Sequence, residues 1–156
     1  MPTNETEKQY NEIRKKYKLP EFKEIDYELE LSDLDETKFL VKSIVRRMSE
    51  KIEFFTTILD GLLQPDTSNI SSIHESRFFD EFEKKEMHDI YRKLMVLSRR
   101  TAELSLAANE KDEAEFVNEF FSEWKPIREE LKKYLKKMKE SWKTETDIKE
   151  DIGYLG

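Results

Sequence analysis

The chain has no cysteine, 2 histidines and only 3 glycines in 156 residues. Each shortage removes a class of chemistry. Without cysteine there is no disulfide, no thiolate nucleophile and no zinc–thiolate centre. The glycines fall at 61, 153 and 156, so no glycine-rich loop can bring its backbone against a phosphate. No apolar run approaches the roughly 18 residues that a membrane span needs, and the first turn of sequence is polar, with no signal region. These absences imply a soluble, cytoplasmic protein that does not enter a membrane.

The two histidines do not build a metal site. His74-Glu75 opens a zinc-protease-like pattern, but Phe78 stands where the second histidine of that motif belongs. A di-iron carboxylate centre needs a glutamate three residues before each histidine, and those positions are Ser71 and Lys85. The expectation is a non-enzymatic chain with no metal and no cofactor. The remaining enzymatic reading, His74 and Glu75 as an acid and base pair, would need a pocket that a thin helical core is poorly suited to provide.

Charge and helical periodicity are what the chain does have. Asp, Glu, Lys and Arg make up 40% of positions and the net charge is −7. Apolar residues are few at 37%, but 10 Phe, 6 Tyr and 2 Trp supply bulk for a core between helices. A short first helix carries Tyr10, Ile13 and Tyr17 on one face, with Thr3 as its cap, and ends at Leu19-Pro20. A second aligns Phe22, Ile25 and Leu29. Ser32 or Asp33 then opens a long helix whose seam is Val41, Ile44, Met48, Ile52, Phe55, Leu59 and Leu62. Leu40, Phe54, Ile58 and Leu63 widen that seam into a surface for two neighbours.

The Pro65-Asp66-Thr67-Ser68-Asn69 stretch reads as a loop. Ser72 with Glu75, and Asp80 with Glu83, are capping-box pairs that open a short helix and a long one. The long helix keeps a 3,4 alternation through Met87, Ile90, Leu94, Leu97, Thr101, Leu104 and Ala108. Asp112 and Glu115 cap the last helix, with its seam at Val117, Phe120, Trp124, Ile127, Leu131, Tyr134, Met138 and Trp142. Because the apolar phase passes Pro126 unchanged, one kinked helix is expected there. The sequence therefore predicts an all-α fold: an elongated, coiled-coil-like antiparallel three-helix bundle with a short N-terminal helical pair. Its parts are helices over 1–31, the bundle over 32–143 with a loop at 64–71, and an acidic tail over 144–156, all within a single domain.

Two surfaces compete as candidate sites. His74, Glu75, Arg77, Phe78 and Phe79 cluster beside the Pro65 loop, where recognition residues often sit. The alternative for that cluster is that Glu75 caps, Arg77 pairs internally and the rings plug the bundle end. The last helix carries Lys125, Arg128, Lys132, Lys136, Lys139 and Lys143 at spacings of three and four, on one face. Residues 125–143 hold eight basic side chains against Glu129, Glu130 and Glu140, a local excess of positive charge that can follow a phosphate backbone. The alternative is a solvated face paired with acidic neighbours. Arg46-Arg47 and Arg99-Arg100 read as internal pairing partners. Phenylalanine doublets at 54–55, 78–79 and 120–121 diverge around a helix, and any ring left uncovered would form a partner or homodimer surface.

Lys18-Leu19-Pro20-Glu21-Phe22, Leu63-Gln64-Pro65-Asp66-Thr67, His74-Glu75-Ser76-Arg77-Phe78-Phe79 and Tyr91-Arg92-Lys93-Leu94-Met95 together resemble a group of small uncharacterised archaeal helical proteins. The resemblance spans nearly the whole chain. It implies an archaeal source and a helical fold, and it brings no activity and no site residues. The expected function is a non-enzymatic helical adaptor docking a protein or ribonucleoprotein partner through residues 74–79. The alternative is direct binding of RNA or the ribosome through the basic face of the last helix.

Overall fold

A computed structural model describes residues 3–34, 39–106 and 109–143. These residues are all-helical, with no strand among them: α1 (Thr3–Tyr17), α2 (Phe22–Leu29), a 3₁₀ turn (Leu31–Asp33), α3 (Leu40–Leu63), α4 (Ile70–Arg77), α5 (Glu81–Leu106) and α6 (Glu110–Ser141). The acidic tail expected over 144–156 and the Ala108 end of the α5 seam lie outside the described residues. Among those described, no helix is long and apolar enough to cross a membrane.

Local chemistry sets the helix ends. The Asp80 carboxylate accepts from the Glu83 backbone N–H at 2.8 Å, and Glu83 accepts from Asp80 N–H at 3.1 Å, a complete capping box at the start of α5. Asn69, three residues before Ser72, caps α4 by accepting from the N–H groups of Ser71 and Ser72. Ser72 is thereby drawn inside the helix. Asn109 does the same for α6, accepting from Asp112 N–H at 2.9 Å. Ser32 does not open the long helix, because its N–H donates back to the Asp26 carboxylate at 2.8 Å and closes the turn that follows α2. With glycine so scarce, the left-handed positions after α1 and α2 go to Lys18 (φ 55°) and Glu30 (φ 53°). α6 runs as one helix with Pro126 inside it, the proline on the exposed side while Trp124 and Ile127 are buried.

The chain divides into two compact units: residues 1–52 with 97–124, and residues 53–96 with 125–156. In the first, Tyr10, Ile25, Leu31, Ile44, Met48, Phe116 and Phe120 are fully buried. Each such large apolar side chain contributes about 1.5–3 kcal/mol by leaving water. Tyr10 donates to the Pro20 carbonyl at 2.5 Å, and burial pushes its phenol pKa up. In the second unit Leu59, Leu62, Met87, Leu94, Ile127 and Leu131 form the core. There α4 lies close on α3: the Ser76 hydroxyl donates to the Leu62 carbonyl at 2.8 Å, and a methyl group added at Gly61 would stand 3.2 Å from Ser72 Oγ. The seam positions of α3 are buried apart from half-buried Phe55, whereas Phe54 of the second strip is exposed.

Candidate functional site

Both sequence-derived candidate surfaces belong to the second unit. At the first, the loop before α4 is shaped by Asp66, whose carboxylate accepts from the Ser68 hydroxyl at 2.7 Å and from its N–H at 2.9 Å. Those bonds, the hydroxyl's first, hold the Asp66 pKa below the usual carboxylate value. α4 then carries His74 into the interior. Its Nε2 lies 2.9 Å from the Ser141 carbonyl of α6, and its ring packs against Phe78 at 5.1 Å and Trp142 at 4.2 Å between centroids. Glu75 is half-buried and accepts from the Trp142 indole N–H at 3.1 Å.

The predicted cluster is therefore split. His74 and Phe79 are buried, Glu75 and Phe78 are half-buried, and Arg77 is exposed. Phe79 sits edge-on to Tyr134 with centroids 6.1 Å apart, and the Lys137 ammonium lies 5.2 Å over its ring. Lys137 also pairs with Glu83 at 2.6 Å. The outward part of this surface consists of Arg77, the edge of Phe78 and Trp142, which is 43% exposed. With its ring closed off from solvent, His74 clasps α4 to the end of α6.

The second surface is brought together as expected. At about 100° per residue, positions 125, 128, 132, 136, 139 and 143 fall within an arc of about 80°. Lys125, Lys132, Lys136, Lys139 and Lys143 are exposed and Arg128 is half-buried. Some of this charge is answered locally. Glu129 stands 3.4 Å from Arg128 and 3.6 Å from Lys132, and Glu140 stands 3.4 Å from Lys143. Pairs this exposed contribute little and exchange freely with water. Lys125, Lys136 and Lys139 have no ion-pair partner among the described residues.

One polar centre in the first unit was not anticipated from sequence. Glu28 is buried; its carboxylate accepts from the Trp124 indole N–H at 2.8 Å and pairs with Lys51 at 3.3 Å. The Lys51 ammonium also donates to the Glu28 carbonyl at 2.6 Å and lies 5.3 Å over the Trp124 ring. The clue was present in α2, where Glu28 shares a helical face with Ile25 and Leu29. A carboxylate on an apolar face must find a partner. Its donors are satisfied within the fold, so the cluster reads as a fastening of α2. No group of three or more His, Asp or Glu among the described residues is placed to hold a metal.

No family model matches the chain, and neither a curated protein nor a solved structure matches it.

Proposed function

We propose that the protein is a non-enzymatic, cytoplasmic helical binding protein that engages RNA, free or within a ribonucleoprotein such as the ribosome, through the basic face of α6. The observation that carries this reading is the row of six cations on one face, three of them without an ion-pair partner among the described residues. Over 18 residues the row is about 27 Å long, enough to track several consecutive phosphates. Part of the same proposal is that α3, α5 and α6 pack as an antiparallel three-helix bundle, which gives the row a straight backing. The short connections before α5 and between α5 and α6 support that arrangement.

The test is fluorescence anisotropy of a labelled single-stranded RNA at several salt concentrations, with the native protein and with Lys132, Lys136 and Lys139 all changed to Glu. If all six cations meet phosphates, log K should fall with log salt at a slope of about −4. The triple reversal should abolish binding while helix content stays native. Unchanged affinity in the reversed protein would overturn the reading.

A second reading, docking of a protein partner at the α4 end, is favoured by Trp142, which stays 43% exposed while its ring, like that of Phe78, packs on His74. It predicts a complex in native lysate that survives RNase and is dissolved by Phe78→Ser. A complex that RNase disperses would sink it.

A further inference from the structure

The two arginine doublets are each divided by the helix they lie on. Arg47 lines a shallow cleft together with Glu28, Glu30 and Glu50, and Arg100 pairs with Glu119 at 3.0 Å. Arg46 and Arg99 turn elsewhere, and both line one cleft of about 440 Å³ that lies wholly in the first unit. Neither has a carboxylate partner among the described residues; Arg99 reaches only the Ser98 hydroxyl, at 3.4 Å. Lys42 adds a third cation and Glu113 the cleft's one carboxylate.

Sequence spacing explains why the cleft is open. Lys42, Val45, Arg46 and Ser49 form one i, i+3, i+4, i+7 face of α3. The face of α5 that lines the other side has the same spacing but small side chains: Ser98, Thr101, Ala102 and Ser105. Where larger residues would fill the space between the helices, these leave a hollow with hydroxyls on its walls and an apolar floor. Its volume falls in the range of small-molecule sites, about 300–1,000 Å³.

We propose that this cleft binds a phosphate-bearing small molecule of nucleotide size, its phosphate held by Arg46 and Arg99 and its remainder by the hydroxyls and the apolar floor. A guanidinium presents a planar fork that matches two phosphate oxygens, and its charge persists at any physiological pH. Three cations and one carboxylate leave a local charge of +2, the complement of a phosphate monoester near its second ionisation. Glu113 does not cancel the site. Its pKa is raised by burial and by the neighbouring Glu110 and Asp112, with Lys42 acting in the opposite direction, and it forms no ion pair with Arg46 or Arg99 among the described residues. The cleft is independent of the α6 basic face, which lies in the other unit.

The test is titration calorimetry of the full chain with the four nucleoside 5′-monophosphates, ribose 5-phosphate and, as a control lacking phosphate, adenosine. At least one phosphate compound should bind saturably, while adenosine does not. Arg46→Gln and Arg99→Gln, both at exposed positions that leave the fold intact, should each weaken binding about tenfold or more. Ala102→Leu keeps every charge but fills the hollow, and should also abolish binding with helix content unchanged. Charge reversal of Lys132, Lys136 and Lys139 should leave the affinity as it was. The proposal is overturned if no phosphate compound binds below about 10 mM, a ceiling close to the weakest specific affinities. It is equally overturned if the arginine variants bind normally, or if Ala102→Leu binds as well as the native chain.

Discussion

Replacing Glu28 with alanine should destabilise the protein by about 3 kcal/mol, although Glu28 belongs to neither proposed binding surface. The magnitude follows from what the carboxylate holds. Trp124 is 2% exposed, and its indole N–H donates to Glu28 at 2.8 Å. With the acceptor gone, a buried donor is left unsatisfied, at a cost of about 1–3 kcal/mol. Lys51 loses its counter-charge, but its side chain is 26% exposed and it keeps the 2.6 Å bond to the residue 28 carbonyl. That loss is therefore discounted to about 1 kcal/mol or less by access to water. For a chain of this length the sum corresponds to a melting point lowered by about 6–12 °C.

Urea unfolding followed by circular dichroism measures the total. Fluorescence in a Trp142→Phe background isolates Trp124, since the chain has 2 tryptophans. Glu28→Gln separates the two contributions. Its amide oxygen still accepts from the indole while the charge on Lys51 goes unanswered, so a loss of about 1 kcal/mol is expected. Equal losses in the alanine and glutamine variants would assign the cost to Lys51 and refute the role given to the indole. A loss below about 0.5 kcal/mol for alanine, the usual range for an ordinary surface change, would refute the whole account.

Two further predictions concern the second unit. Tyr134 is 4% exposed and its hydroxyl has no hydrogen-bond partner among the described residues. Burial first, and then Glu86, Glu130, Glu83 and Asp89, raise its pKa to about 12. Because the unfolded phenol ionises near 10, the stability tied to this group is complete below pH 10 and falls by about 1.4 kcal/mol per pH unit toward 12. Tyr134→Phe should therefore raise the urea midpoint at neutral pH, by about 1 kcal/mol of stability, and flatten the loss between pH 10 and 11. A lowered midpoint at neutral pH would show that the hydroxyl is engaged. Phe79→Ala, which empties a buried site against Tyr134, should cost about 3–5 kcal/mol, while Phe78→Ala at a half-buried site should cost about 1 kcal/mol. Thermal denaturation of the two single variants checks this, and equal losses would contradict the burial assigned to Phe79.

The parts legible in the sequence are those governed by short spacings. The seam Val41, Ile44, Met48, Ile52 and Leu59 is buried because a 3,4 alternation collects apolar groups on one face whatever covers it. Asp80 and Glu83 could be matched because their two bonds close within four residues. Phe54 shows where this stops, since periodicity marks a second apolar strip without saying whether a second neighbour will cover it. The start of α3 was misplaced for a similar reason. Ser32 has the chemistry of a cap, but Asp26, six residues earlier, takes its N–H. His74 falls by sequence in the recognition cluster beside the Pro65 loop, yet its partner carbonyl lies 67 residues away, beyond any local pattern. The basic face of α6 was readable because it is one helix's own geometry; the arginine cleft was not, because it needs two helices side by side.

The charge at these two surfaces is not consumed by ion pairs within the fold. The chain holds 35 acidic residues against 28 basic ones, so a cation in want of a carboxylate has ample choice. Where charge serves the fold, that choice is used: Lys51 meets Glu28, Arg100 meets Glu119 and Lys137 meets Glu83. Lys125, Lys136 and Lys139 on α6, and Arg46 and Arg99 at the cleft, have no carboxylate within pairing distance among the described residues. Scarcity of acid does not explain them, and neither does core packing, since all five are exposed. Other exposed cations, among them Lys15, Lys85, Arg92 and Lys93, also lack an ion-pair partner among the described residues; in the row and the cleft such cations stand together, and the two groups predict separable losses. Reversing charge on α6 should remove RNA binding and its salt dependence, while neutralising Arg46 or Arg99 should leave both untouched.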